Sequence, residues 1–145
     1  MALVEKSVLI EYSAAQMYAL VDNVAAYPEF LPWCGGTEIL NKEGEVTRAA
    51  IIIDFRGLKQ RFSTENRADP PQRIEMSLVE GPFRHLDGTW RFKALGDDAC
   101  KVEFRLHYEF SSKLLEKIVG PVFHFIASTF VEAFVKRARQ LYGER

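Results

Sequence analysis

The longest helical pattern in this 145-residue chain runs from Ser112 to Tyr142. Its central part, Ile118–Val131, carries no charged side chain when His124 is neutral. Apolar residues recur there at the spacing that places them on one helix face; they are Val119, Val122, Phe123, Ile126, Phe130, Ala133 and Phe134. The charge-free part is shorter than the roughly 20 apolar residues of a membrane span, so we expect its apolar face to be buried inside protein.

Two signals punctuate this helical stretch. Gly120 and Pro121 interrupt it, and they predict a kink or a fresh helix start because proline lacks an amide donor and crowds the preceding turn. Basic side chains near its end suit the negative pole of a helix dipole; they are Lys136, Arg137 and Arg139. Gly143 follows and is predicted to be the residue just past the helix.

Charge and length restrict the class of protein. Lysine and arginine total 19 and aspartate and glutamate total 20, so the overall charge favours neither DNA nor an anionic membrane. We expect a single domain, residues 1–145, of a size that buries a real core. Cys34 and Cys100 lack metal-ligand spacing and are predicted to be reduced thiols. No signal-peptide pattern begins the chain, and we expect a cytoplasmic protein.

The N-terminal third reads as one strand followed by two helices. Leu3–Tyr12 alternates between apolar and polar residues, which predicts a half-buried strand. Ser13 and Gln16 have the spacing of a capping box at the start of a helix. Asp22 is predicted to cap a second short helix around Val24–Ala26.

Six strand-like runs then follow at hairpin spacing; they are Thr37–Lys42, Val46–Phe55, Leu58–Arg67, Arg73–Glu80, Arg84–Leu95 and Lys101–Phe110. Short connections favour an antiparallel meander with one solvated face. Only the C-terminal helix is long and apolar enough to cover the other face. The order β-α-α-β6-α therefore predicts an α+β fold in which a curved antiparallel sheet wraps around that helix, with an apolar cavity between them.

A segment rich in proline and aromatic residues, Tyr27–Gly36, precedes the first of these runs. Proline holds the backbone out of regular structure, and the aromatic side chains must cover something. The residue types alone favour a well-packed connection between helices and sheet. The functional alternative is a lip at the cavity mouth, which would consist of Tyr27, Pro28, Phe30, Pro32 and Trp33.

Three stretches carry a family resemblance: Asp22–Cys34 with its Tyr-Pro-Glu-Phe-Leu-Pro-Trp-Cys run, Gly81–Phe92, and Val102–Phe110 with the final helix. Together they resemble the coenzyme Q-binding START-domain family, whose bacterial members include the ribosome association toxin (RatA) family and many proteins labelled oligoketide cyclase or lipid transport. The resemblance implies the helix-grip (START/SRPBCC-like) fold of the polyketide cyclase superfamily. It also implies two functions, ubiquinone binding in support of respiration and interference with ribosomal subunit association.

Inward-facing positions supply the candidate ligand-binding residues; they are Trp33, Gln60, Phe62, Thr64, Met76, Trp90, Phe92, Phe104, Tyr108, Phe123, Ile126 and Phe130. A filled core is the alternative for most of them. An isoprenoid tail needs such an apolar lining and a few polar groups for its head. Gln60, Thr64, Asn66 and Tyr108 are predicted either to meet quinone carbonyls or to pair with one another or with water.

No catalytic constellation stands out in the sequence. His85, His107 and His124 are each predicted to be surface residues, and no spacing suggests zinc, a phosphate loop or a serine nucleophile elbow. We therefore expect a binding protein for a lipophilic quinone or isoprenoid molecule, with no required cofactor and transient contact with a membrane surface. A cyclase-like enzyme is the minority alternative, because that label follows the fold alone.

The ribosome alternative draws on outward-facing cations. Lys59, Arg61 and Arg67 form a row on one strand, interrupted by Glu65. Further cations face outward on later strands: Arg91, Lys93, Lys101 and Arg105. Phosphate contacts from such a row would bind RNA of a ribosomal subunit. A solvated sheet face of mixed charge is the alternative interpretation.

Overall fold

The computed structural model describes residues 2–143, in which seven strands form one antiparallel sheet beside a long C-terminal helix. The elements are β1 Ala2–Ile10, α1 Ala14–Asp22, a 3₁₀ helix Val24–Glu29, β2 Cys34–Glu43, β3 Val46–Phe55, β4 Leu58–Asp69, β5 Arg73–Glu80, β6 Phe83–Ala94, β7 Cys100–Phe110 and α2 Lys113–Tyr142. The strand order is β1-β7-β6-β5-β4-β3-β2. The predicted α+β helix-grip fold and its order of elements are confirmed.

The strands are longer than the alternation indicated at several ends. β2 begins at Cys34 instead of Thr37, because the segment through Gly36 already pairs with β3, where Cys34 faces Ile53. A Cβ on Gly35 would lie 2.9 Å from the Cβ of Asp54, so this close approach of two strands requires glycine. β1 is shorter than predicted and ends at Ile10.

Of the two helix caps predicted near the N-terminus, one is confirmed and the other is wrong. The capping box at α1 is present, with the Ser13 hydroxyl accepting from the Gln16 amide at 3.1 Å and the Gln16 side chain accepting from the Ser13 amide at 2.9 Å. The prediction that Asp22 caps the next helix is wrong. Asp22 is the last residue of α1, and Asn23 precedes the 3₁₀ helix without a side-chain cap. Asn23 donates its amide to the Ala19 carbonyl, so the hydrogen bonding of α1 continues past Asp22.

A kink or a fresh start was predicted at Gly120 and Pro121. α2 is one continuous helix through Pro121, so the fresh start is wrong, and the kink stays a prediction. Ser112 caps its N-terminus by accepting from the Leu115 amide at 3.2 Å. Gly143 ends the helix with φ of 82°, as predicted. α2 is long and apolar enough to cross a membrane by length and composition alone. Core helices of proteins that do not enter membranes pass the same test.

The inner face of α2 packs against the sheet. Its buried residues are Val119, Phe123, Ile126, Ala127, Val131, Phe134 and Ala138. Val122, Phe130 and Ala133, which the periodicity assigned to the same face, are half-buried at its edges. The alternation of β7 is regular, with every second residue from Cys100 to Phe110 buried. One face of the meander is therefore covered by α2, and a cavity remains where the two separate.

Candidate ligand cavity

The cavity lies between the middle of α2 and the inner face of the sheet, with a volume of about 70 Å³. Its lining is apolar except for one threonine and one asparagine; the residues are Val24, Tyr27, Trp33, Ala49, Ile51, Ile53, Phe62, Thr64, Asn66, Met76, Leu86, Phe104, Leu106, Phe123, Ile126, Ala127 and Phe130. Eight of the twelve predicted ligand-binding residues are among them, as is Asn66.

Two regular patterns bring this lining together. On β3, alternate residues point to the same side of the sheet, which puts Ala49, Ile51 and Ile53 on the wall. On α2, Phe123, Ile126 and Phe130 follow one another at helical spacing on the opposite wall. Side chains therefore reach the cavity from every second residue of β3 and from every third or fourth residue of α2.

The polar groups of the wall are neighbours on β4. The Thr64 hydroxyl donates to the Asn66 side-chain oxygen at 2.8 Å, since residues two apart on a strand share a face. Within residues 2–143, the Asn66 side-chain N–H groups have no hydrogen-bond partner. This amide can therefore donate to a carbonyl in an otherwise apolar site.

Four predicted ligand-binding residues do not line the cavity: Gln60, Trp90, Phe92 and Tyr108. Trp90 belongs to an aromatic core cluster, with its ring 4.6 Å from Phe104 and 5.3 Å from Phe134. The Tyr108 hydroxyl is 3.2 Å from Nδ1 of His124, away from the predicted quinone contact. Burial raises the pKa of Tyr108, so this phenol stays neutral at physiological pH.

Several wall residues were absent from the sequence prediction: Val24, Ala49, Ile51, Ile53, Leu86, Leu106 and Ala127. The phase of β3 was ambiguous, because Ala50 and Ile52 are apolar too and occupy the opposite face. Leu86 lies in the same inward row as Trp90, and Leu106 in the same inward row as Phe104. The alternation of these strands could therefore have identified both leucines as wall residues. No local pattern distinguishes Val24 or Ala127 from ordinary core.

The segment proposed as a lip supplies part of the cavity wall. Tyr27 and Trp33 are buried and line the cavity, Phe30 is half-buried, and Pro28 and Pro32 are exposed. The packed-connection alternative therefore describes Tyr27 and Trp33 in this closed structure. Movement of the segment as a lip stays a prediction.

Tyr27 is anchored from two sides. Its hydroxyl donates to the Val21 carbonyl at 2.5 Å, and its ring lies 5.4 Å from that of Phe134 on α2. Burial, followed by the negative charge of Asp22, raises the pKa of Tyr27 far above that of a free phenol. Next to it, Glu29 pairs with Arg137 at 3.1 Å, which ties the 3₁₀ helix to α2.

The histidines lie apart from the cavity. His85 is exposed and 2.5 Å from Asp87, His107 faces outward on β7, and His124 is exposed on α2. In the described part of the chain, no group of three histidine, cysteine, aspartate or glutamate side chains is arranged to hold a metal ion. None of these histidines is therefore placed to act on a molecule in the cavity.

The outward basic row is largely neutralised by carboxylates. Arg61 pairs with Glu38 at 3.1 Å, and Arg67 pairs with Glu65 at 3.2 Å. Arg48 on β3 pairs with the same Glu65 at 3.2 Å. Within the row of Lys59, Arg61 and Arg67, only Lys59 has no ion pair among residues 2–143. On the later strands, Lys101 pairs with Glu103 and Arg105 with Glu5. This arrangement favours the mixed-charge interpretation of the sheet face.

Comparisons with known proteins place these features in context. The family model described as polyketide cyclase/dehydrase and lipid transport matches residues 10–135. The ribosome association toxin RatA of Vibrio cholerae is 45% identical, over 97% of this chain and 98% of its own length. The mitochondrial coenzyme Q-binding protein COQ10 homolog B of Xenopus laevis is 30% identical, over 97% of this chain and 59% of its own.

Solved structures show the same fold. The Zhui aromatase/cyclase from Streptomyces sp. R1128 superposes with a TM-score of 0.85, covering 96% of this chain and 94% of its own. Its sequence identity is 16%, so the likeness concerns the arrangement of sheet and helix and not the chemistry.

Proposed function

The chain belongs to the polyketide cyclase/dehydrase and lipid transport family, within the group that includes the ribosome association toxins, and on that premise we propose that it binds a lipophilic ligand of the quinone or isoprenoid class between α2 and the sheet. The observation that carries the proposal is the wall itself, apolar throughout except for the Thr64–Asn66 pair. We propose that this is binding without catalysis and that it requires no cofactor.

The ligand has one favoured orientation. Thr64 and Asn66 pair across the sheet with Ala49 and Thr47, while the apolar row of β3 continues in the opposite direction. A carbonyl of the head group would accept from the Asn66 amide, and the tail would run along β3 toward the β3–β4 hairpin. Asn66 is half-buried, and a hydrogen bond from its amide would fix the head group more specifically than apolar contact alone can.

Size requires the cavity to expand when the ligand enters. A volume of about 70 Å³ is far below the roughly 300–1,000 Å³ of ligand pockets, so the closed form cannot hold a quinone ring and its tail. Phe62, Met76 and Phe130 are half-buried wall residues, and methionine in particular adopts new rotamers easily. Binding therefore includes a conformational step, and the association rate should be slower than diffusion allows.

The test begins with natively purified protein, extracted with organic solvent and examined by mass spectrometry. We expect a quinone or other isoprenoid lipid, and we expect added short-tail ubiquinone to raise the melting temperature. Ala127→Leu places three more carbon atoms in the cavity and should abolish that shift. Ala133→Leu is the matched control, since Ala133 lies on the same helix outside the cavity wall. Absence of both extracted lipid and quinone binding would overturn the proposal.

A second function, association with a ribosomal subunit, is favoured by sequence identity. The RatA relative is 45% identical at full length, against 30% for the coenzyme Q-binding relative. Such a role would place the protein in the cytoplasm and would use its outer surface, so it is compatible with a ligand in the cavity.

Sucrose gradients test the ribosomal role. Overexpression should raise the free subunits, and Lys59→Glu should reduce the effect, because Lys59 is the unpaired cation of the row. Arg61→Glu also leaves Glu38 without its partner and is less specific. An unchanged gradient at high protein level would contradict this function while leaving lipid binding untouched.

A further inference from the structure

An exposed apolar stripe runs along the first half of α2. Leu114, Ile118 and Phe125 are 66%, 52% and 45% exposed, and their spacing of four and seven residues places them on one helix face. Exposed Pro121 lies between them on the same side. Isolated exposed leucines are ordinary, whereas an aligned row on a helix is a feature of interaction sites.

The β3–β4 hairpin extends this stripe into a broader surface. The Phe55 ring stacks on Phe125 with centroids 6.0 Å apart and an interplanar angle of 2°. The Arg56 guanidinium lies 4.9 Å from the Phe55 ring and 5.4 Å from the Phe125 ring. We call the surface formed by Phe55, Arg56, Leu114, Ile118 and Phe125 the hairpin–helix face.

This face is continuous with the cavity. Ala49, Ile51 and Ile53 point into the cavity from β3, and Phe55 is the next residue of the same phase. The apolar row therefore leaves the cavity and ends on the hairpin–helix face without a charged side chain in it. A lipid moving between the surface and the cavity would stay in contact with apolar groups along this row.

Cations border the apolar centre. Lys113 and Lys117 are exposed on the first turns of α2, and Arg56 is exposed at the hairpin tip. None of the three pairs with a carboxylate among residues 2–143. Glu116 lies opposite Ile118 by helical spacing, but it is three residues from Lys113 and lines the surface beside Pro121 together with Glu109. Glu109 pairs with Arg84, so the three cations outnumber the free carboxylate beside this face.

From this arrangement we propose that the hairpin–helix face docks on an anionic phospholipid bilayer. The apolar residues enter the boundary between head groups and acyl chains, and the three cations contact lipid phosphates. A second copy of the chain fits less well, because a symmetric contact would bring the same cations together. This docking surface does not depend on the identity of the cavity ligand.

Vesicle cosedimentation tests the proposal with the full chain. We expect binding to vesicles of phosphatidylcholine with phosphatidylglycerol and little binding to phosphatidylcholine alone, with a loss of about fivefold per cation in Lys113→Gln and Lys117→Gln. Leu114→Gln with Ile118→Gln should weaken binding about tenfold or more, since two apolar side chains no longer enter the interface. Leu9→Gln with Leu95→Gln is the matched control, because both leucines are exposed away from this face.

Quinone binding is measured on the same variants, so that failure of docking and failure of ligand binding are distinguishable. Equal vesicle binding by the wild type and by Leu114→Gln with Ile118→Gln would overturn the proposal, as would absence of binding to anionic vesicles. If the double variant instead abolishes a dimer seen by analytical ultracentrifugation, or abolishes cosedimentation with ribosomal subunits, the face serves that partner and the bilayer assignment is wrong.

Discussion

At the residue scale, Thr64 and Asn66 decide how polar the cavity is. Thr64→Val keeps the shape of the side chain and removes the donor to Asn66. We expect the free energy of unfolding to fall by about 1 kcal/mol and the affinity for quinone to fall about fivefold, because the Asn66 side chain loses the contact that orients it. Urea denaturation and quinone titration measure the two effects.

Thr89→Val is the control for this substitution. Thr89 is half-buried on the outer face of β6, so the same chemical change there should leave quinone affinity unaltered. Equal losses of affinity in both variants would show that the Thr64–Asn66 pair has no part in binding.

The burial of Trp33 determines how much stability the protein should lose when this side chain is deleted. Its side chain is 5% exposed, comparable to 3% for Phe104, and its ring lies 5.7 Å from Phe130. Trp33→Ala should therefore lower the free energy of unfolding by about 3–5 kcal/mol, as a core deletion does. A loss well below that of Phe104→Ala in urea denaturation would favour the mobile lip over the packed wall.

At the element scale, Arg137 joins α2 to the 3₁₀ helix. It pairs with Glu29 at 3.1 Å and lies 5.1 Å above the Phe30 ring. Arg137→Met removes both contacts and keeps most of the aliphatic stem. We expect a loss of about 1–2 kcal/mol in the free energy of unfolding and faster hydrogen exchange at the amides of Phe30 and Leu31, which bond to Tyr27.

Glu29→Gln separates the two contacts, because it removes the ion pair and leaves the guanidinium over Phe30. Since the Glu29 side chain is largely exposed, this variant should lose less than about 1 kcal/mol. Identical losses in both variants would mean that the ring contact contributes nothing.

At the scale of the whole molecule, buried protonated groups make the fold sensitive to alkali. Burial raises the pKa of Cys100 from 9.0 to about 11, and burial with the charge of Asp22 raises the pKa of Tyr18 from 10.0 to about 12. The unfolded chain releases these protons first. The contribution of these groups to the free energy of unfolding is therefore complete below about pH 9, and it decreases as the pH rises toward 12.

Urea denaturation between pH 8 and pH 11 tests this dependence. For each proton that the folded state retains and the unfolded state has released, the free energy of unfolding falls by about 1.4 kcal/mol per pH unit. Burial also raises the pKa of the Cys34 thiol, so Cys100→Ala should reduce the slope that begins near pH 9 without abolishing it, whatever it does to stability at pH 7. A wild-type stability that stays constant up to pH 11 would contradict the burial of these groups.

Local signals explain which structural predictions were correct. The Ser13–Gln16 box and the end at Gly143 each depend on residues within a few positions of one another. Asp22 failed as a cap because Asn23 prolongs α1 through a hydrogen bond that propensity does not reveal. Pro121 did not restart the helix: proline removes one amide donor, and α2 buries residues on both sides of it, Val119 before and Phe123 after.

The sequence by itself determined the order of elements, the antiparallel meander and the apolar face of α2, because periods of 2 and 3.6 residues are local properties of the backbone. Only the tertiary structure decided which inward side chains meet a cavity. Trp90 and Thr64 both face inward, yet one fills the core and the other lines the wall, since the outcome depends on where α2 crosses the sheet. The partners of Arg61, Tyr108 and Phe125 were decided in the same way, because each lies on another element at a distance that no local pattern encodes.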